Sequence, residues 1–367
     1  MSEWVECKLE DLITLQRGHD LPKSKMNTEG KIPVAGSNGI IGYHDEATTK
    51  ALGVTIGRSG NLGNAFIYNE DFWAHNTTLY VKDFKGNDET FIYYLLKSMD
   101  FQQFNVGSAV PTLNRNHIHP LGVKRPPLTE QKAIASVLSS LDDKIDLLHR
   151  QNKTLEAMAE TLFRQWFVEE ADESWESAKL GDYVKTNTSL LKKDSMLSEI
   201  QYLDTSSLTE GKTSEIQLLS IEEAPSRAKR TVKHNDILIS TVRPNQKHYG
   251  IVRNPDENLI VSTGFVVVTC NTLSPFFIYL FLTSSEMTEY LHSIAEGSTS
   301  TYPSLKPSDI ERLGFLLPPK ELLDEFDRIC NTIWTKIETN YNHIKNMELL
   351  RDTMLPKLMS GEIGINV

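Results

Sequence analysis

Residues 129–167 read TEQKAIASVLSSLDDKIDLLHRQNKTLEAMAETLFRQWF. Ile134, Leu141, Leu148, Leu155 and Leu162 fall seven residues apart without a break. Leu138, Ile145, Asn152 and Ala159 form a second row four residues behind the first. Two rows at heptad spacing make a narrow apolar seam, which predicts a coiled-coil helix over residues 130–167. No Pro or Gly interrupts the run; Pro126 and Pro127 precede it, and Thr129 is placed to cap its first free N–H groups. At about 1.5 Å per residue such a helix runs roughly 55–60 Å. An amphipathic helix in an ordinary helical domain is the plainer alternative, but five unbroken heptads exceed the usual globular length. A seam of this length needs a partner helix.

The partner lies in the same chain. From about Glu321 to Met359 the pattern repeats 192 positions later, with Phe326 matching Ile134, Ile333 matching Leu141, Ile337 matching Ile145, Met347 matching Leu155 and Met354 matching Leu162. Upstream, Pro111, Leu113, Ile118, Leu121, Gly122, Pro126 and Pro127 recur as Pro303, Leu305, Ile310, Leu313, Gly314, Pro318 and Pro319. Matches at one offset indicate an internal duplication.

Each seam contains one Asn, Asn152 and Asn340. Opposed in an antiparallel pair, they set Ile145 on Met347, Leu148 on Ile344, Leu155 on Ile337 and Ala159 on Ile333. A slip of one heptad would set each Asn against an apolar residue and lose a buried hydrogen bond. The sequence therefore predicts an antiparallel coiled coil in this register, with one mismatch, Leu141 facing Arg351.

The 367 residues allow two or more domains, and 39% hydrophobic with 24% charged residues suits a soluble globular chain. No apolar run reaches membrane-spanning length, the start MSEWVECKLED lacks a signal-peptide pattern, and Cys7, Cys270 and Cys330 have no metal-like spacing. A reducing cytoplasm is the expected compartment. The net charge of −11 argues against a nucleic-acid partner if taken whole, but it is unevenly spread. Residues 129–176 carry a net −6, and residues 222–253 a net +4. An acidic protein can still bind a polyanion locally.

The first globular unit, to about residue 125, reads as mixed α and β. Gly36 to Gly39 is a hairpin turn, residues 52–56, 65–68 and 77–81 are strands, residues 57–63 form a Gly-rich loop, and residues 91–97 a helix with an aromatic face. The second unit opens alike: Trp4, Lys8, Leu9 and Asp11 correspond to Trp175, Lys179, Leu180 and Asp182. Residues 237–241 resemble the strand before the Gly-rich loop, residues 243–250 replace that loop, and residues 277–280 echo 91–94. One framework carrying different loops suggests two recognition surfaces with different targets.

No catalytic constellation stands out. There is no Asp/Asn-Pro-Pro-Tyr/Phe run of an adenine methyltransferase and no GxxxxGK[ST]; the loop at 57–63 precedes a strand rather than a helix, which speaks against a dinucleotide site. His117 and His119 lack neighbours that would complete a metal site. What remains is DNA-contact chemistry. Arg58, Ser59 and Asn61 lie in the Gly-rich loop, Asn38 in the hairpin turn, and Arg243, Asn245, Gln246, Lys247 and His248 in the second unit's loop. Arg can donate two hydrogen bonds to a guanine edge, and Asn or Gln can pair with adenine. Lys23, Lys25, Arg115, Arg227, Lys229 and Arg230 fit phosphate contacts better. Taken singly, each is as well explained as a solvated loop residue; as sets, the two loops favour contact.

The order of these motifs resembles the specificity subunit of a Type I restriction-modification system. The resemblance covers the whole chain. It is carried by Gly107, Ser108 and Pro111, by residues 124–131 (KRPPLTEQ), by 162–168 (LFRQWFV) and by 355–363 (LPKLMSGEI). The second repeat departs from the pattern, with Lys320, Glu321 and Leu322 where Pro-Leu-x-Glu-Gln is usual. The resemblance implies an α+β chain with pseudo-two-fold symmetry: target-recognition domains at 1–125 and 172–317, and helical regions at 126–171 and 318–367 forming an antiparallel coiled coil. Each domain would read half of a bipartite double-stranded DNA site. The coiled coil (Ile134, Leu141, Ile145, Leu148, Asn152, Leu155 and Leu162 against Ile333, Ile337, Asn340, Ile344 and Met347) would set the half-site distance and dock partners. The expected partners are methyltransferase subunits, two of them, and restriction subunits. S-adenosylmethionine, ATP and Mg are expected on those subunits; for this chain the resemblance implies neither cofactor nor catalysis. The competing readings are a recognition subunit of a related defence system and a coiled-coil adaptor that never touches DNA.

Overall fold

The seam becomes two long helices, Leu128–Arg164 and Lys320–Ser360. The computed structural model describes residues 4–27, 29–104, 112–192, 195–297 and 304–365; Gly107, Ser108, Pro111 and Pro303 fall outside these. The chain divides into two compact units, Met1–His149 with Asn342–Val367, and Arg150–Tyr341. Each unit therefore holds part of both helices.

In the first unit the helices run antiparallel: Ile134 and Leu138 share a core with Leu355, Leu358 and Met359. Arg351 faces Asp142, not the predicted Leu141, donating from Nη1 to Asp142 Oδ1 at 2.7 Å, and Tyr94 donates to the other oxygen at 2.7 Å. One step round the helix replaces a charge-on-Leu mismatch with a charge-assisted pair. In the second unit Asn340 Nδ2 donates to Asn152 Oδ1 at 2.7 Å and to Gln151 Oε1 at 2.9 Å. The predicted antiparallel register holds. Ile134, Ile145, Leu148, Ile333, Ile337 and Ile344 are buried, and Leu141, Leu155, Leu162 and Met347 half-buried.

The start of the first helix differs from expectation. It begins at Leu128, so Thr129 lies inside it and caps nothing. Pro127 O instead accepts from Gln131 N at 2.9 Å. The Gln131 side chain, 2% exposed, ties this end down: it donates to Pro126 O and Asn87 Oδ1 and accepts from Asp88 N. At the same place in the second helix stands Leu323, buried in the apolar core, with its N–H on Pro319 O at 3.1 Å. The departure from Thr-Glu-Gln thus exchanges a polar anchor for an apolar one. The far end of the first helix widens over Gln165–Glu169, where Glu170 N reaches Gln165 O. This turn lets Trp166 and Phe167 pack on Phe326 at 6.0 and 4.9 Å between ring centres.

The duplication extends through both units. In the first, an antiparallel sheet orders Thr14–Arg17, Thr78–Asp83, Gly53–Gly57 and Ala65–Tyr68. In the second, Val184–Thr186, Phe265–Cys270, Ile237–Ser240 and Tyr249–Ile251 take the same order. Val5–Lys8 pairs with Gly122–Arg125 as Glu176–Lys179 pairs with Gly314–Leu317. Leu9 N bonds Leu121 O as Leu180 N bonds Leu313 O. Glu89–Ser98 and Pro275–Thr283 are the aromatic helices, capped by Asp88 and Ser274.

A second sheet in each unit was not legible as such. In the first, Ile32–Gly36 lies between Gly39–His44 (antiparallel) and Trp73–Ala74 (parallel). The hairpin is the expected one, and Gly39 takes φ +93°, which its missing Cβ permits. In the second, Glu199–Leu203 lies between Gln217–Ser220 (antiparallel) and Leu259–Ser262 (parallel), and one strand more, Ala228–Thr231, joins the edge.

The amide pair makes a measurable claim. Asn340→Leu leaves Asn152, 1% exposed, against an apolar side chain, and should cost about 1–3 kcal/mol. Replacing both by Leu should recover most of that loss. Urea midpoints of the single and double variants test it; a double variant as weak as the single would show that the pair does not satisfy itself.

Candidate nucleic-acid interface

The Gly-rich loop is built by close backbone approach. A Cβ on Gly57 would stand 1.8 Å from Asn61 O, so only Gly fits, and Gly63 N closes the loop onto Gly57 O at 2.9 Å. Arg58 N donates to Thr77 O at 2.8 Å, Arg58 O accepts from Leu113 N at 2.7 Å, and Ser59 N donates to Thr77 O at 3.2 Å. The loop is fixed from both sides. Its tip meets the hairpin turn, where Asn61 Nδ2 donates to Asn38 Oδ1 at 2.6 Å, and both side chains stay exposed. The structure thus joins two segments that sequence could only list. Lys23 and Lys25 lie on an exposed turn of their own.

Arg58 and Arg115 line one cleft of about 250 Å³, and Arg17 lines it with them. Arg17 was not among the expected residues. It ends the strand Thr14–Arg17, with no loop or cluster signal around it. Arg58 is half-buried, and burial, then the neighbouring Arg17, lower its pKa. His119 Nε2 accepts Leu15 N–H at 3.1 Å, and burial lowers its pKa, so its ring serves the backbone here. Among the described residues no group of three His, Cys, Asp or Glu side chains could hold a metal ion.

In the second unit the corresponding loop splits. Arg243 and Lys247 flank the turn Pro244–Gln246 with φ of +47° and +56°. Such left-handed backbone costs about 1–2 kcal/mol per non-Gly residue. Arg243, Asn245 and Gln246 are exposed. Lys247 and His248 turn to the protein: Lys247 Nζ meets Glu210 Oε1 at 2.8 Å, and His248 Nδ1 lies 2.7 Å from Leu208 O and 3.1 Å from Thr209 Oγ1. Glu210 raises the pKa of Lys247 by hydrogen bond and charge, and burial raises Glu156 and Glu160 nearby. This acidic surround draws residues far apart in sequence together, so no local motif announces it.

The extra edge strand, Ala228–Thr231, carries the basic set. Arg227 and Lys229 are exposed, while Arg230 is half-buried. Arg230 Nη2 reaches Thr263 O at 3.4 Å, its Nε and Nη1 have no hydrogen-bond partner, and burial lowers its pKa. A buried guanidinium with donors unmet costs stability. Arg230→Met, of similar length and uncharged, should leave the thermal midpoint unchanged or higher. The same variant should bind all duplexes more weakly. A lower midpoint would make Arg230 a structural residue instead.

Comparison with known proteins gives the family and the fold. A family model described as "Type I restriction modification DNA specificity domain" matches residues 1–157 and 172–342. The Type I restriction enzyme HindI specificity subunit of Haemophilus influenzae is 29% identical over 49% of this chain and 39% of its own length. The MjaIX specificity subunit of Methanocaldococcus jannaschii is 25% identical over 75% of this chain and 69% of its own. A Type I restriction-modification S subunit from M. genitalium shares the fold, with a TM-score of 0.67 at 17% identity over 98% of this chain and 96% of that one. No helix among the described residues is long and apolar enough to cross a membrane.

Proposed function

We propose, since this chain belongs to the family of Type I restriction modification DNA specificity domains, that it reads a bipartite double-stranded DNA site for a restriction-modification complex. Residues 1–125 read one half and residues 172–317 the other. The helical regions 126–171 and 318–367 dock two methyltransferase subunits and, for cleavage, the restriction subunits. S-adenosylmethionine, ATP and Mg belong to those partners. The chain itself supplies specificity rather than catalysis.

The observation that carries this reading is one sheet order used twice, with unlike loops on it: half-buried Arg58 and Ser59 with exposed Asn61 on one copy, exposed Arg243, Asn245 and Gln246 on the other. A fold that repeats its frame and varies its loops has two different targets to read. In the second copy exposed Arg243, followed by Asn245 and Gln246, has the donors and acceptors for guanine and adenine edges.

Sequencing of methylated adenines in cells expressing the chain with its methyltransferase subunit tests the function. The expected product is a bipartite motif with a spacer of set length. Arg243→Ala should cost roughly 1–3 kcal/mol on the cognate site and relax one position of one half-site. An equal loss on every sequence would make Arg243 a phosphate contact. Deleting one heptad from each helix, about 10 Å of rise at about 1.5 Å per residue, should shorten the preferred spacer and leave both half-sites unchanged. A spacer of unaltered length would show that the helices do not set it.

A further inference from the structure

We propose that the cleft lined by Arg17, Arg58 and Arg115 holds one phosphate group of duplex DNA, so that Arg58 positions the backbone rather than reading a base. This inference rests on the DNA-recognition reading above and assigns a ligand to one part of it.

The first argument is charge. The remaining lining residues include Leu79, Thr112 and Asn114, and among the described residues that line the cleft there is no carboxylate. Asp20 pairs with Arg17 at 2.8 Å and its charge also reaches Arg58, which leaves the three guanidinium groups and this one carboxylate with a net charge of about +2. Like charges gathered in a partly desolvated site repel, and a bound anion reverses the sign of that interaction. The partial charges on a base edge offset three cations far less than the full charge of a phosphate.

The second is anchoring. Arg58 Nη1 donates to Asn76 O at 3.3 Å, and Arg115 Nη1 to Leu15 O at 3.3 Å. Each guanidinium uses one corner on the backbone and keeps the rest of its planar fork for a ligand, the arrangement suited to phosphate oxygens. A volume of about 250 Å³ is below the roughly 300–1,000 Å³ of pockets that enclose small-molecule ligands.

The third is the duplication itself. Leu305 N donates to Thr241 O at 2.8 Å, as Leu113 N donates to Arg58 O at 2.7 Å, so Thr241 is the counterpart of Arg58. At the repeat offset Pro307 replaces Arg115. The second copy keeps the frame without these cations. They are therefore not required to hold the fold, and their assembly in the first copy calls for a ligand.

The test uses the full chain purified with its methyltransferase subunit. Arg58→Thr, the residue of the other copy, should bind cognate and unrelated duplexes alike roughly tenfold more weakly, as loss of a charge-assisted hydrogen bond implies. The slope of log affinity against log salt should fall by about 0.9, the value for one phosphate. Arg58→Lys should keep the slope. In a scan of duplexes with single neutral methylphosphonates, one position should weaken the wild type more than it weakens Arg58→Thr, while the other positions affect both alike. The proposal is overturned if Arg58→Thr alters which motif is methylated, weakens only the cognate duplex, or changes nothing while its melting is unaltered. If Arg58→Thr fails to fold, Arg58→Lys decides: a changed motif overturns the clamp, and an unchanged motif with an unchanged slope upholds it. A wild-type complex that binds no duplex overturns the recognition reading itself, and the clamp with it.

Discussion

A buried amide facing a buried amide governs how this chain can fold. Heptad seams of Leu and Ile attract each other in many registers, because sliding by seven residues replaces one apolar contact with another. The hydrogen bond from Asn340 to Asn152 ends that degeneracy in its unit, since any slip leaves two desolvated amides without partners. In the other unit the pair Asp142–Arg351 performs the same service with charge, and Tyr94 takes the remaining carboxylate oxygen. Both polar contacts belong to one alignment of the two helices. Little binding energy need come from either; their value lies in what the alternatives would cost.

With the helices in register, each unit completes its core from both. Leu355, Leu358 and Met359 close the first unit's core, beside Ile134 and Leu138 from the other helix. Phe163 and Phe326 play that part in the second, within a cluster of aromatic rings that includes Phe277 and Phe315. Neither globular segment is free-standing in the sense of having a core made only of its own residues. That is why the compact units cut across the helices while the repeats in sequence run alongside them.

Periodicity made the helices legible, and the two Asn made their register legible, because both signals are local in sequence. The strands at 53–57, 65–68 and 78–83 were close to their expected bounds for the same reason: alternating apolar residues bounded by Gly. What escaped was whatever depends on distant segments meeting. Asp142 answers Arg351 across 209 positions. Arg17 joins Arg58 and Arg115 only because strand order brings Thr14–Arg17 beside Thr78–Asp83, and that strand beside Gly53–Gly57. Lys247 pairs with Glu210, 37 positions away, and no local motif announces that partner.

The difference between paired and unpaired cations bears on the proposed recognition of a polyanion by an acidic chain. Counting charges along the sequence treats Lys247 and Arg243 alike, yet on one exposed turn Lys247 has Glu210 as a surface ion-pair partner at 2.8 Å and Arg243 has no carboxylate bonded to it among the described residues. The charge that matters to a duplex is the part the protein has not already spent on itself. By that measure Arg58 and Arg230 outweigh their share of the composition, since each is half-buried and neither has a carboxylate bonded to it among the described residues. On the proposed reading a phosphate would meet Arg58 where backbone hydrogen bonds on both sides have already fixed its loop, so little reorganisation is needed at binding.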